Sequence, residues 1–357
     1  MMDYKFLIYT SYSYGIPIGR PLELEILKRG YQVRWFSYIP ETKSHLPKGS
    51  QLLESIQEVV SYDPDIILSI TDYVPDFLSG LKVQVFHGFN PAKRSEDDHF
   101  NIRGFYDLYC TQGPSTTLRF QEKQKEDPHF EVVETGWPKM DPLFEKAEEK
   151  SGSLPVILIT STFSHRLSLA LREDVLEEVK RLSETGKYQF ITVLHPKLPQ
   201  QTVAKWQSLM GPYFTYYDTT DLIPLFKRAD IMLSDTTSAI QEFMLADKPI
   251  VTFRHRRPND CVLNVEEVQE LEAALDLAIQ RPQKQLAAIR KEADLNHPYR
   301  DGQSSARVID ACIASLHKDK SHLKKKSLNI IRKYKIRKLL QYYPLKTYRR
   351  PAYRPKQ

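Results

Sequence analysis

The sequence predicts an α/β fold of two domains, each a parallel sheet covered by helices. Three observations carry that expectation. Short apolar runs alternate with longer segments of helical periodicity, the pattern of βαβ units. The alternation occurs twice, on either side of a charged stretch, Glu145–Ser153, that ends in Ser-Gly-Ser and reads as a linker. Polar residues, two histidines among them, follow the apolar runs where strands would end. At 357 residues the chain is long enough for two full cores.

In order, Phe6–Thr10 reads as the first strand, Pro21–Arg29 as a helix closed by Gly30, and Val33–Phe36 as the second strand. Leu52–Ser61 has helical spacing, and Asp63-Pro64-Asp65 turns into the strand Ile66–Ile70. Strands Lys82–Phe86 and Tyr106–Cys110 follow. A helix opens at Pro114, since proline suits a first turn, and Glu131–Glu134 leads into Gly136-Trp137-Pro138-Lys139-Met140-Asp141. After the linker come strand Val156–Ile159, helix Leu169–Thr185 and strand Phe190–Leu194. Strands Phe214–Tyr217, Ile231–Leu233 and Ile250–Phe253, then helices Val265–Gln280, Lys284–Leu295 and Gly302–His317, close the body. In such sheets ligands bind beyond the C-terminal ends of the strands, so the two sheets are expected to face each other across a cleft.

Composition excludes several classes. An apolar content of 41% with 27% charged residues is that of a folded enzyme and not of a disordered chain. Cys110, Cys261 and Cys312 are widely spaced, which fits reduced thiols. No apolar run approaches the ~18 residues of a membrane span. No GxGxxG, GxxxxGK[ST], HExxH or GxSxG is present, so a dinucleotide, a P-loop nucleotide, zinc and a serine nucleophile elbow are not expected.

What remains is chemistry at strand ends. His87 follows Val83–Phe86 and precedes Gly88, where a neutral imidazole can take a proton from a hydroxyl and glycine admits a ligand. His195 precedes Pro196 and can donate to a diphosphate oxygen, with Lys197 adding charge. Ser234-Asp235 ends the Ile231–Leu233 run, and Thr236-Thr237-Ser238 then opens a helix, a geometry that either caps the helix or binds an anion. Arg254-His255-Arg256-Arg257 reads as a solvated basic turn in preference to a contact with a phosphate or an acidic membrane.

The charge is divided. From Lys318 to Gln357 there are 15 Lys/Arg and one acid, whereas the rest of the chain carries 36 basic and 44 acidic residues. Within this tail Ile336, Leu339, Leu340 and Tyr343 share a helical face, and Tyr334, Tyr342, Tyr348 and Tyr353 interleave with Arg and Lys. The pattern suits an anionic membrane surface. A nucleic-acid arm or a solvated segment has the same composition; membrane is the expected partner and nucleic acid is not.

The order His87-Gly88, Gly136-Trp137-Pro138-Lys139-Met140-Asp141, Leu194-His195-Pro196, Ser234-Asp235-Thr236-Thr237-Ser238, Asp247-Lys248-Pro249-Ile250 and Asp301–Arg307 resembles the CDP-glycerol glycerophosphotransferases of teichoic-acid and related polymer synthesis. The resemblance spans roughly Val83 to Cys312. It implies a GT-B-like fold with two Rossmann-like domains, residues 1–147 for the acceptor and 154–317 for the CDP-polyol, ahead of the basic tail 318–357. Together with the reduced thiols and the basic tail, this points to a cytoplasmic transferase, peripheral on the inner face of the membrane. Such an enzyme passes a polyol phosphate from a CDP-polyol to a glycan or lipid-linked acceptor with no obligatory metal or other cofactor. By position His87 matches the family's base and His195 the histidine that contacts the diphosphate. Ser234, Asp235, Thr237, Ser238 and Thr162 match the diphosphate end, and Gly88, Gly136, Asp141, Lys197 and Glu242 are expected along the cleft. Departures are Thr236 for an aromatic, Glu242 for an aspartate and Ser164 for an arginine, with Arg166 nearby. Before Val83 only the layout matches, so the acceptor stays open. Two alternatives share the pattern: a glycosyltransferase or sugar-nucleotide epimerase on the same scaffold, and a non-enzymatic nucleic-acid-binding module.

Overall fold

The computed structural model describes residues 3–89, 100–145, 152 and 154–355. The chain divides into two compact units, Met1–Phe144 with Asn296–Gln357, and Glu145–Leu295. Residues 146–151 and 153 of the expected linker lie outside the described residues.

Unit 1 is built on a seven-stranded parallel sheet. Its strands are β1 (Lys5–Tyr9), β2 (Gln32–Phe36), β3 (Leu52–Leu53), β4 (Ile66–Ser69), β5 (Leu81–Val85), β6 (Leu108–Thr111) and β7 (Glu131–Glu134). The order is β3-β2-β1-β4-β5-β6-β7, so β1 pairs with both β2 and β4, with Ile8 opposite Trp35 and Leu68. Residues of β1, β4 and β5 are buried on both faces, as a sheet covered by helices requires. The helix α1 (Ile16–Lys28) begins five residues before the expected Pro21 and carries that proline internally. Burial of Ile18, Leu22 and Ile26 offsets the lost bond. Gly19 has a packing reason: a Cβ there would lie 2.3 Å from the Trp35 ring.

The expected helix Leu52–Ser61 splits. Leu52 and Leu53 pair with Trp35 and Phe36 as an edge strand. The helix then starts at Ile56, because the Ser55 hydroxyl accepts the Glu58 N–H at 3.2 Å.

Unit 2 has a six-stranded parallel sheet, in order β10-β9-β8-β11-β12-β13. Its strands are β8 (Val156–Ser161), β9 (Gln189–Leu194), β10 (Phe214–Tyr216), β11 (Ile231–Ser234), β12 (Ile250–Phe253) and β13 (Leu263–Val265). Val265, expected to open the helix Val265–Gln280, instead ends β13, which pairs beside Val251–Phe253. The core joins Ile157, Ile159, Phe190, Trp206, Leu233, Val251 and Leu275. Lys248, in the Asp247-Lys248-Pro249 motif, donates to the carbonyls of Phe226, Lys227 and Ala229 at 2.6–2.8 Å and so closes the helix Ile223–Arg228.

Two expectations about the C-terminal part are corrected. The helix Ser304–Leu316 was expected within residues 154–317 but packs in unit 1. The physical reason is a buried carboxylate: Asp141 accepts the N–H groups of Ser304 at 2.8 Å and Ser305 at 2.7 Å, capping this helix. Further along, Ser315 and Lys318 both bond Glu131.

The tail, expected as a separate segment 318–357, belongs to unit 1 as well. Buried Lys326 pairs with buried Asp107. Arg337 forks onto Asp76 at 2.8 and 3.0 Å. On the helix Ile330–Leu340, Ile336 and Leu340 enter the core beside Phe77 and Tyr106, whereas Leu339 and Tyr343 of the expected apolar face point outward. The outward surface also shows Ile330, 70% exposed, Ile331, 73%, and Tyr334, 56%. Among the described residues no helix is long and apolar enough to cross a membrane.

Docking has a measurable consequence. Ile336→Ala should lower unfolding free energy by about 2–4 kcal/mol, and Leu339→Ala by less than about 0.5 kcal/mol, in urea titrations of the full chain. Equal effects of the two would mean the tail is not part of the core.

Candidate functional site

Each sheet reverses its strand order once, between β1 and β4 in unit 1 and between β8 and β11 in unit 2. In open α/β sheets, ligands bind outside the C-terminal strand ends at such reversals. Both histidines follow strands near these points.

In unit 1, His87 follows β5. The Trp137 indole donates to Phe86 O at 2.7 Å, and Gln112 Nε2 donates to Gly88 O at 2.9 Å, so the backbone is held on both sides of the histidine. The imidazole is 41% exposed, and its Nδ1 lies 3.8 Å from Asp72 Oδ1. Asp72 follows β4 and pairs with Arg103 at 3.1 Å. The Tyr14 ring lies 5.9 Å from the imidazole. A Cβ at Gly88 would meet no described atom within 4 Å.

In unit 2, His195 follows β9. Its Nδ1 accepts the Lys197 N–H at 3.1 Å, which leaves Nε2 to carry the proton and act as donor. Its ring packs on Phe163 at 4.5 Å, and the Lys197 ammonium lies 5.2 Å from the same aromatic. Thr237 is half-buried and Ser238 exposed at the start of the helix Ala239–Met244. The Thr236 hydroxyl accepts the Arg256 N–H at 2.9 Å, which brings the Arg254–Arg257 turn against the hydroxyl triplet. Arg256 and Arg257 are exposed there.

Other expected site residues are taken up by the fold. Ser234 is fully buried, donates to Thr160 O at 2.9 Å and pairs with the Thr160 hydroxyl at 2.8 Å, so no ligand reaches it. Asp235 is also fully buried. It accepts from Ser161 Oγ at 2.6 Å, from Thr162 N at 2.9 Å and from Leu169 N at 3.0 Å. A carboxylate so satisfied pins the loop after β8 to the end of β11 and is not offered to a diphosphate. Thr162 is 8% exposed and supplies one of those donors. Glu242 is buried on the first turn of its helix.

Asp141 and Gly136 are structural as well. Asp141 caps the helix Ser304–Leu316, and burial pushes its carboxyl up while the serine N–H bonds oppose the shift. Gly136 has φ +80°, and a Cβ there would lie 2.4 Å from Ser304 Oγ.

Sequence reasoning missed Asp72, Arg103, Tyr14 and Phe163. Asp72 stands just past the Ile66–Ile70 run, the same strand-end signal that marked His87 and His195. Tyr14 and Phe163 sit in the first loops of their units, where only packing tells a shielding ring from a core ring.

His297, beside Gly136, is fully buried, and burial lowers its pKa to about 4. The folded state therefore keeps this ring neutral while the unfolded chain protonates it below about 6.5. Stability is present above that value and falls with pH down to about 4, by about 3 kcal/mol. The melting temperature of His297→Gln should consequently drop less than that of the parent between pH 7 and 4.5. Parallel curves would show that His297 does not titrate with unfolding.

Compared with curated proteins by sequence, the chain finds no match. The sequence model of CDP-glycerol:poly(glycerophosphate) glycerophosphotransferases matches residues 83–314. Among solved structures the chain is similar to the wall teichoic acid polymerase TagF, at 13% identity and a TM-score of 0.64, over 88% of this chain and 89% of that one. A TagF variant soaked with CDPG gives 14% and 0.63, over 87% and 88%. The UDP-GlcNAc 2-epimerase from Neisseria meningitidis bound to UDP-GlcNAc gives 14% and 0.54, over 87% and 100%. At these identities the likeness shows the fold alone: two parallel-sheet α/β units.

Proposed function

Because the chain belongs to the family of CDP-glycerol:poly(glycerophosphate) glycerophosphotransferases, and so transfers a polyol phosphate from a CDP-polyol in cell-surface polymer synthesis, we propose that its two strand-end histidines divide the work of that reaction. The observation that carries this reading is how each imidazole is held. Nδ1 of His87 faces Asp72, which favours a proton on that nitrogen and makes Nε2 the basic nitrogen of the neutral ring. Nδ1 of His195 accepts a backbone N–H, which leaves Nε2 as donor.

The acceptor, a glycan or lipid-linked hydroxyl, attacks the β-phosphorus of CDP-glycerol or a similar CDP-polyol. A bond forms from the hydroxyl oxygen to that phosphorus. The bond to the bridging oxygen breaks, and its electron pair leaves on CMP. The hydroxyl proton passes to His87 Nε2, with Asp72 as the positioning carboxylate. His195 Nε2–H donates to the diphosphate as charge builds on it, a contribution of about 2.7–4 kcal/mol for a preorganised donor. Thr237, Ser238, Lys197 and the exposed Arg256 supply further donors and positive charge.

The test uses purified full-length protein, CDP-glycerol and a hydroxyl acceptor, with CMP release as readout. His87→Ala should lower kcat by about 10²–10⁴, and His195→Ala by about 10²–10³, with melting temperatures unchanged. Arg256→Ala should raise KM for CDP-glycerol by about tenfold, the loss of one charge-assisted contact. Full turnover in either histidine variant removes that residue from the mechanism.

The docked tail supports a peripheral location on the membrane. Ile330, Ile331 and Tyr334 project beside Arg332, Lys335 and Lys338, all on the exposed side of one helix. Apolar side chains within a basic surface suit the anionic cytoplasmic leaflet, where each cation adds about 1 kcal/mol. Phosphatidylglycerol vesicles should sediment the protein, and Ile330→Ser with Ile331→Ser should weaken this at least about tenfold without changing the melting temperature. Undiminished sedimentation would assign membrane contact elsewhere.

A further inference from the structure

The loop after β1 carries two aromatic rings that the transfer chemistry leaves unused. Tyr12 is 52% exposed and Tyr14 45%. Their rings stack at 5.4 Å with planes 23° apart, and Tyr14 is the ring beside His87. Together they form a small aromatic shelf at the strand-order reversal of unit 1, next to the group that takes the acceptor's proton.

The shelf is supported from below. The Ser11 carbonyl accepts the hydroxyls of Thr42 at 2.9 Å and Ser37 at 3.4 Å, which fixes the start of the loop. The Ser11 hydroxyl meets Tyr73 Oη at 3.3 Å, and Tyr73 in turn bonds the Tyr38 hydroxyl. A set of hydroxyls therefore gathers around Ser11, the residue before Tyr12. Burial pushes the Tyr14 phenol up to about 12, so it stays neutral at physiological pH.

Aromatic faces flanked by hydroxyls and a carboxylate match one class of hydroxyl acceptor. A pyranose offers a flat C–H face to stack and equatorial hydroxyls to donate, whereas an acyclic polyol-phosphate chain offers no flat face. We propose that Tyr12 and Tyr14 form a pyranose subsite, so that the acceptor presents a sugar ring on this shelf with one hydroxyl directed to His87. The inference rests on His87 acting as the base; it specifies what that base acts upon.

Methyl β-pyranosides of glucose, galactose and N-acetylglucosamine, with a glycerol-phosphate oligomer for comparison, serve as probes of the full-length protein. In saturation-transfer NMR at least one pyranoside should receive saturation on its ring C–H protons. Tyr12→Ala with Tyr14→Ala should abolish this, and Tyr12→Phe with Tyr14→Phe should retain it, because stacking needs the ring and not the hydroxyl. In turnover the alanine pair should raise acceptor KM about tenfold while leaving KM for CDP-glycerol unchanged. No saturation of any pyranoside by the parent protein, equal saturation by the alanine pair, or an effect falling on CDP-glycerol would each overturn the subsite. A thermal shift with CDP-glycerol reads the donor reaction separately. Pyranoside binding lost with the tyrosines in a protein that ignores CDP-glycerol would uphold the shelf and refute the donor assignment.

Discussion

An all-parallel sheet buried on both faces can offer polar groups to a ligand only where its strands stop. That constraint organises both units. Strand order reverses beside β1 and beside β8, so the loops leaving neighbouring strands part to opposite faces. Whatever chemistry the chain carries is concentrated on short segments whose backbone is fixed by the ladder beneath. His87 and His195 each lie directly after such a strand.

Strand ends hold their side chains in place only if the loops are themselves restrained, and buried carboxylates supply much of the restraint. Asp235 gathers donors from Ser161, Thr162 and Leu169 around the end of β11. Asp141 joins the helix Ser304–Leu316 to unit 1, and Asp107 and Asp76 fasten the basic tail. Each leaves water and is compensated by several donors or an opposite charge, the condition under which burial of an ion is tolerated. Removal of a single partner would strand a charge, so these pins are strong through the cost of breaking them more than through net attraction.

The same arithmetic separates structural from reactive polar residues. Ser234 and Asp235 have their hydrogen-bonding capacity consumed by protein neighbours. His195 has one nitrogen engaged by its own backbone turn, and Thr237 and Ser238 remain partly open to solvent.

Most strands, the two-domain α/β class and the family motifs were legible in the sequence, because apolar runs and strand-end polar residues are local signals. Local spacing also named His87 and His195. What it could not separate was a polar residue facing a ligand from one facing its own protein, since both follow a strand. That is why Ser234, Asp235, Gly136 and Asp141 read as site residues although the fold also holds each of them by bonds or close packing of its own. Tertiary structure alone decided three things. It returned the last helix and the tail to unit 1, through carboxylates distant in sequence. It turned Ile336 and Leu340 inward and left Ile330 and Ile331 outside, because a helix in a basic segment has no single apolar face until a neighbour selects one. It set Asp72 and the Tyr12–Tyr14 pair beside His87, because pairing of β4 between β1 and β5 unites loops that the chain keeps apart.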